Sequence, residues 1–107
     1  MSSIEELVLE NQLDAFTRVL SLFSNKGMKT NDVFNILSQA ENDAQFVCGF
    51  IDLNKYDNEK KVILEHSVNR GLVTVDKSGH LQLTAAGKER AKKELPQPIE
   101  QSIRDRQ

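Results

Sequence analysis

The sequence predicts a mainly α-helical protein with one small β-hairpin, in the element order α-α-α-α-β-β-α. Two observations carry this prediction. Apolar residues recur at intervals of three and four over most of the chain, which is the pattern of helices with one buried face. Between residues 72 and 83 the pattern changes to β-branched and alternating apolar residues around Asp-Lys-Ser-Gly at 76–79, which is typical of two short strands joined by a turn.

Length and composition restrict the chain to a single small domain. Its 107 residues are 38% apolar and 28% charged, a balance that favours folding over disorder. The single cysteine, Cys48, cannot form an intrachain disulfide, which favours a reducing compartment. Nothing resembles a signal peptide, and no apolar run reaches the roughly 18 residues of a membrane span. We expect a cytoplasmic protein with no membrane contact.

The first helix is predicted over residues 3–24, and Gly27 ends it. A helix of about 20 residues is ~30 Å long, so its first turns are expected to project past a core of this size. Ile4, Leu7 and Val8 lie in those turns and are candidate dimer contacts. The buried stripe is expected to comprise Leu9, Leu13, Phe16, Leu20 and Phe23.

Two more helical segments are predicted before residue 55. Thr30 is the expected N-cap of a helix over 30–39. The segment 41–54 is apolar on most sides, which favours a helix buried all round, although a strand over 46–51 is an alternative. Phe46 and Phe50 in this segment are further candidate dimer contacts.

The C-terminal half contains the remaining elements. A helix over 57–70 is expected to bury Val62, Ile63, Leu64 and Val68. The strands 72–75 and 80–83 follow, with Gly79 supplying a positive φ in their turn. Thr84 is the expected N-cap of a last helix over about 85–94, which Pro96 and Pro98 stop. We therefore expect one domain over 1–95 and a polar, mobile tail over 96–107.

This stretch resembles the wing of winged helix-turn-helix regulators. The resemblance depends on Gly-Leu-Val at 71–73 before the hairpin and on Leu-Thr-x-x-Gly at 83–87 after it. It is closest to the MarR and PadR groups and covers residues 16–95. It implies a winged-helix fold in which the 30–39 helix is the first of the helix-turn-helix pair.

The chain departs from the family pattern at two places. The family joins its two helix-turn-helix helices by a short turn, whereas residues 41–55 intervene here. Ser67 stands where the family often has leucine, so we expect Leu64 and Val68 to hold the core instead.

The resemblance also implies a DNA-binding surface and a homodimer. The family places recognition residues early in the helix that corresponds to 57–70, and the hairpin contacts the neighbouring phosphates. No arginine lies early in this helix or in the wing, so we expect affinity from phosphate contacts and limited direct reading of bases. The implied contacts are Asn58, Lys60 and Lys61 in the recognition helix and Lys77, Ser78 and His80 in the wing.

The charge distribution bears on the same hypothesis. The net charge of −2 argues weakly against a nucleic-acid partner. Residues 1–54, however, carry three basic and eight acidic side chains, whereas residues 55–107 carry eleven basic and eight acidic ones. The basic half contains the expected recognition helix and wing, although chance variation in surface charge would also explain the difference.

The sequence lacks the motifs of common catalytic and metal sites. It has no G-x-S-x-G, no H-E-x-x-H and no phosphate-binding glycine loop. Cys48, His66 and His80 lack the short spacing of a zinc site. We expect no enzyme activity, no cofactor and no bound metal.

Two functions stay open at this point. The first is a dimeric DNA-binding transcriptional regulator. The second is a winged-helix module that binds protein and not DNA, because fold alone does not choose between these uses. The net acidity, the absence of arginine from the wing and the apolar segment 44–53 favour the second.

Overall fold

The computed structural model describes residues 4–23, 27–44 and 57–107. Within these ranges the protein is mainly helical with one small antiparallel hairpin, as predicted. None of the described helices is long and apolar enough to span a bilayer. The elements are α1 (Ile4–Leu22), α2 (Thr30–Ala44), α3 (Asp57–Asn69), β1 (Val73–Val75), β2 (Leu81–Leu83), α4 (Ala85–Arg90) and α5 (Gln97–Arg104).

Helix α1 passes through the centre of the core. Its predicted stripe is buried at Leu13, Phe16, Leu20 and Phe23, and only Leu9 is half-buried. Phe16 packs against Phe34 of α2 with ring centroids 5.4 Å apart and the rings tilted by 44°, an arrangement that aromatic pairs favour. The helical spacing of α1 therefore predicted its buried face correctly.

Helix α2 is longer than predicted. It continues past residue 39 to Ala44, and both Ala40 and Glu41 are buried. Residues 41–44 thus extend α2 and do not begin a separate helix. The rest of the segment predicted as an extra helix, including Phe46 and Phe50, lies outside the described residues.

Helix α3 buries a different face from the predicted one. Ile63 and Ser67, four residues apart, are its fully buried positions, and the Ser67 hydroxyl donates to the Ile63 carbonyl at 2.8 Å. Val62 and Val68 lie one position outside this pair and are 46% and 43% exposed. The prediction that these two valines hold the core is wrong, because a helical face centred on Ile63 and Ser67 turns both of them toward solvent. Leu64 is half-buried against the core.

The hairpin follows α3 directly and is attached to the connection between α1 and α2. Its register pairs Val73 with Leu83 and Val75 with Leu81. The turn has Gly79 at φ +84°, as predicted. The backbone N–H of Leu81 donates to the Met28 carbonyl at 2.8 Å, so the chain before α2 pairs with β2 on the side away from β1.

Helix α4 begins at the predicted N-cap. The Thr84 hydroxyl oxygen accepts from the Gly87 N–H at 3.0 Å, and the same hydroxyl donates to the Gly71 carbonyl. Gly87 is buried against the hairpin, where an added Cβ would lie 1.9 Å from the Leu72 carbonyl oxygen. Gly87 therefore allows α4 to approach the start of the hairpin closely.

Helix α4 ends at Arg90 and not near residue 94. A longer helix would join the Ala91 carbonyl to the N–H of Leu95. Side chains bind both groups instead: the Ala91 carbonyl accepts from Arg18 Nη1 at 3.0 Å, and the Leu95 N–H donates to Glu100 Oε1 at 2.9 Å. These two hydrogen bonds end the helix and turn the chain toward α2.

The C-terminal segment differs from the mobile tail expected over 96–107. Residues 97–104 form α5, which packs against α2. Ile99 and Ile103, one helical turn apart, are 1% and 0% exposed. Glu100 between them is buried as well. Two isoleucines in an otherwise polar segment are thus enough to dock a short helix when a buried ion pair accompanies them.

Candidate nucleic-acid interface

The residues predicted to read DNA lie at the start of α3. Lys61 is exposed and Lys60 is half-buried. Asn58 lies in the first turn of α3, but its side chain is outside the described ones. Neither lysine has a carboxylate partner within the described part of the chain. Two free ammonium groups are therefore presented near the N-terminal end of this helix.

The residues predicted for the wing lie at the tip of the hairpin. Lys77 and Ser78 are exposed, and His80 is half-buried. The carboxylate of Asp76 accepts from the backbone N–H groups of Ser78 and His80 at 2.8 and 2.9 Å. These bonds, that of His80 first, lower the pKa of Asp76. The carboxylate is therefore ionised at neutral pH and offsets the charge of Lys77.

The arginines are engaged elsewhere. The described residues include twelve of the fourteen basic side chains and all five arginines. Every arginine forms an ion pair with a carboxylate, as do two lysines near the end of α4. The described basic residues without such a partner are Lys29, Lys60, Lys61, Lys77 and Lys88.

One arginine cluster joins α1 to the end of α3 and to α4. Glu10 accepts from Arg70 at 2.5 Å and from Arg90 at 2.6 Å, and Arg90 also donates to Asp14 at 2.8 Å. The hydrogen bonds from Arg70 and then Arg90 lower the pKa of Glu10. This cluster fixes the ends of α3 and α4 on α1, so these arginines act in the fold.

A second cluster is buried and attaches α5. Glu100, 1% exposed, accepts from Arg18 Nε and Nη2 at 3.1 and 3.0 Å and from Arg104 Nε at 2.7 Å. Burial raises the pKa of Glu100, but the hydrogen bonds from Arg18, the Leu95 N–H and Arg104 together lower it below its ordinary value. The sequence gave no signal for this pair, because 82 residues separate Arg18 from Glu100.

A cavity of about 350 Å³ lies between the end of α1, β2 and α4. Its apolar wall comprises Leu20, Phe23, Met28, Leu81 and Leu83, and its polar residues are Ser21, Gln82 and Lys88. Its volume is within the range of small-molecule sites. In the described part of the chain, no three His, Cys, Asp or Glu side chains are grouped to hold a metal ion.

The candidate dimer contacts are only partly within the described structure. Leu7 and Val8 in the early turns of α1 are 56% and 40% exposed. The side chains of Ile4, Phe46 and Phe50 lie outside the described ones. The structure thus presents two exposed apolar side chains at the predicted dimer surface, on the second turn of α1.

Comparison with known proteins adds no relative. No protein-family model matches the chain, and no significant match was found among the curated proteins or the solved structures. The function therefore has to be inferred from the fold and from the charges on its surface.

Proposed function

We propose that this chain is a winged-helix protein that binds double-stranded DNA as a homodimer and regulates transcription. The observation that carries the proposal is the distribution of unpaired cations. Lys60 and Lys61 near the start of α3 and Lys77 at the hairpin tip have no carboxylate partner among the described residues. A helix inserted in the major groove with a hairpin beside it would bring these ammonium groups to phosphates.

The connection between α3 and the hairpin supports this use. The N–H of Leu72 donates to the Ser67 carbonyl at 2.9 Å, and Gly71 at φ +70° turns the chain into β1. At the other end of the hairpin, Thr84 bonds back to Gly71. These contacts hold the hairpin and α3 in a fixed relation, which limits the conformational entropy lost on binding a rigid duplex.

The chemistry of the unpaired cations suggests how the duplex would be bound. A lysine ammonium acts on phosphate as a point charge, whereas the bidentate reading of guanine is best done by arginine. All five arginines are engaged in ion pairs of the fold. We infer that most of the affinity comes from the phosphate backbone and depends strongly on salt.

A homodimer would double this surface and match two half-sites about one turn apart. The exposed Leu7 and Val8 on α1 support a contact between copies at this helix. Light scattering on the purified chain tests the dimer. A Leu7→Lys variant is expected to shift the mass toward that of the monomer, and a monomeric wild type would contradict this part of the proposal.

The DNA proposal is tested with two matched double variants. The Lys60→Ala/Lys61→Ala variant removes two unpaired lysines, and Lys92→Ala/Lys93→Ala removes two that are paired with Glu89 and Asp14. Both change the net charge equally. In about 50 mM salt we expect the first to bind a fluorescent random-sequence duplex at least tenfold more weakly than wild type. Equal effects of the two variants, or no binding by wild type, would contradict the proposal.

Exposed apolar residues on α3 favour the alternative, a winged-helix module that binds protein. Val62 and Val68 are nearly half exposed on the helix that would enter the groove. If the chain does not bind DNA, we expect a partner that contacts this face of α3. A partner lost on substitution of Val62 and Val68 by lysine, with folding intact, would support this second function.

A further inference from the structure

We propose that Lys29, in the connection between α1 and α2, is part of the DNA-contacting surface and binds a backbone phosphate beside the wing. This inference rests on the proposed DNA-binding function and extends it to a residue that sequence reasoning did not select. Lys29 lies more than forty positions before the hairpin, so only the folded chain brings it to the wing.

The contact between Lys29 and the hairpin is a backbone one. Lys29 and His80 form an antiparallel β-bridge, and the neighbouring Leu81 N–H donates to the Met28 carbonyl at 2.8 Å. Residues directly opposite in an antiparallel pair project from the same face with Cβ atoms about 5 Å apart. The Lys29 side chain therefore begins next to His80, three residues from Lys77.

The sheet has two chemically different faces. Val73 and Leu81 are buried on the side that packs against the helices. Thr74 and Gln82, which are opposite each other in the register, are both exposed. Because side chains alternate along a strand, His80 shares the exposed face with Gln82, and so does Lys29 through the bridge. Lys29 thus extends from a solvent-facing polar surface and is itself exposed.

The charges near Lys29 determine the size of its contribution. The Asp32 carboxylate accepts from the backbone N–H of Lys29 at 3.0 Å, and the Asp76 carboxylate accepts from two N–H groups of the hairpin turn. Neither is within ion-pair distance of the Lys29 ammonium. They lower the local potential without neutralising this lysine, so we infer one phosphate contact from Lys29.

The test measures the salt dependence of binding to a fluorescent random-sequence duplex between about 50 and 200 mM salt. One lost phosphate contact lowers the slope of log K against log salt by about 0.9. We expect Lys29→Ala to show this decrease and Lys29→Arg to keep the wild-type slope. The control is Lys92→Ala, an exposed lysine paired with Glu89, which should leave the slope unchanged. Equal unfolding midpoints will show that each variant is folded.

The outcomes separate this inference from the function it extends. If wild type binds and Lys60→Ala lowers the slope but Lys29→Ala behaves as Lys92→Ala does, the DNA-binding function stands and the inference is wrong. If wild type does not bind the duplex, both fail. A decrease with Lys29→Ala that Lys29→Arg restores supports a charge contact, because a purely structural role of the lysine stem would not change the salt slope.

Discussion

Gly87 is the residue on which the joint between the hairpin and α4 most depends. In an exposed helix, replacing glycine by alanine adds up to about 1 kcal/mol of stability. Here the new Cβ would lie 1.9 Å from the Leu72 carbonyl oxygen and 3.0 Å from a Leu83 methyl group. The backbone oxygen cannot rotate away as a flexible side chain would, so the helix has to move off the hairpin.

We therefore expect Gly87→Ala to lower the free energy of unfolding by about 1–3 kcal/mol, as overpacking does. Urea unfolding followed by circular dichroism measures the change. Ala86→Ser, at an exposed neighbouring position in the same helix, is the control and should change stability by less than about 0.5 kcal/mol. A Gly87→Ala protein as stable as wild type would show that α4 does not approach Leu72 so closely.

The buried Glu100 gives a prediction that depends on pH. Glu100→Gln leaves Arg18 without its anionic partner, and removing one member of a buried ion pair costs about 3 kcal/mol or more. The pKa of Glu100 is lowered in the folded protein from its ordinary value of 4.5. Its contribution is therefore complete above pH 4.5 and is lost as the pH falls through the lowered pKa.

The difference in unfolding free energy between wild type and Glu100→Gln should accordingly be largest near neutral pH and decrease below pH 4.5. The control is Glu94→Gln, whose carboxylate is exposed and lies 3.4 Å from Arg104, and which should have little effect at any pH. A difference that stays constant from pH 7 to pH 3 would contradict the role of the Glu100 charge.

At the level of elements, α5 is the part of the fold that the sequence predicted least well. Its buried residues are Ile99, Glu100, Ser102 and Ile103. Helical spacing suggests one docked turn, but two prolines and a polar composition are equally typical of a tail. The partner that settles the matter, Arg18, is in the first helix, and no local pattern connects residues 82 positions apart.

We expect Ile103→Ala to cost about 2–5 kcal/mol, because a fully buried isoleucine loses its contacts with the core and leaves a cavity. Gln101→Ala, at an exposed position of the same helix, should be nearly neutral. Thermal unfolding followed by circular dichroism compares the two. If both variants melt with wild type, α5 is not docked on the core and the expectation of a mobile tail was right.

Elements with strong local signals were predicted well. The stripe of α1, the turn at Gly79 and the Thr84 cap depend on residues within a few positions of one another. The buried face of α3 was predicted wrongly because valines were given more weight than Ser67. That serine is buried because its hydroxyl bonds to the Ile63 carbonyl within the helix. The candidate site was predicted in part: Lys60, Lys61 and Lys77 were selected, but Lys29 requires the bridge to His80.

On the scale of the whole molecule, the two kinds of basic residue have separate uses. The five arginines join helices through carboxylates, including the buried Glu100 and the shared Glu10. The unpaired cations are lysines at the start of α3, at the hairpin and in the segments beside it. This division explains how a chain of net charge −2 can present a surface for an anionic polymer, because most of its acidic partners belong to the fold.

The central claim is that these unpaired lysines bind duplex DNA, and its most direct measurement is the affinity of the wild-type chain for a random-sequence duplex across a salt series. Four contacts, by Lys29, Lys60, Lys61 and Lys77, predict a slope of about −3.6 in log K against log salt. A slope near zero, or no binding at about 50 mM salt, would contradict the claim and leave the protein-binding role of α3 as the function to pursue.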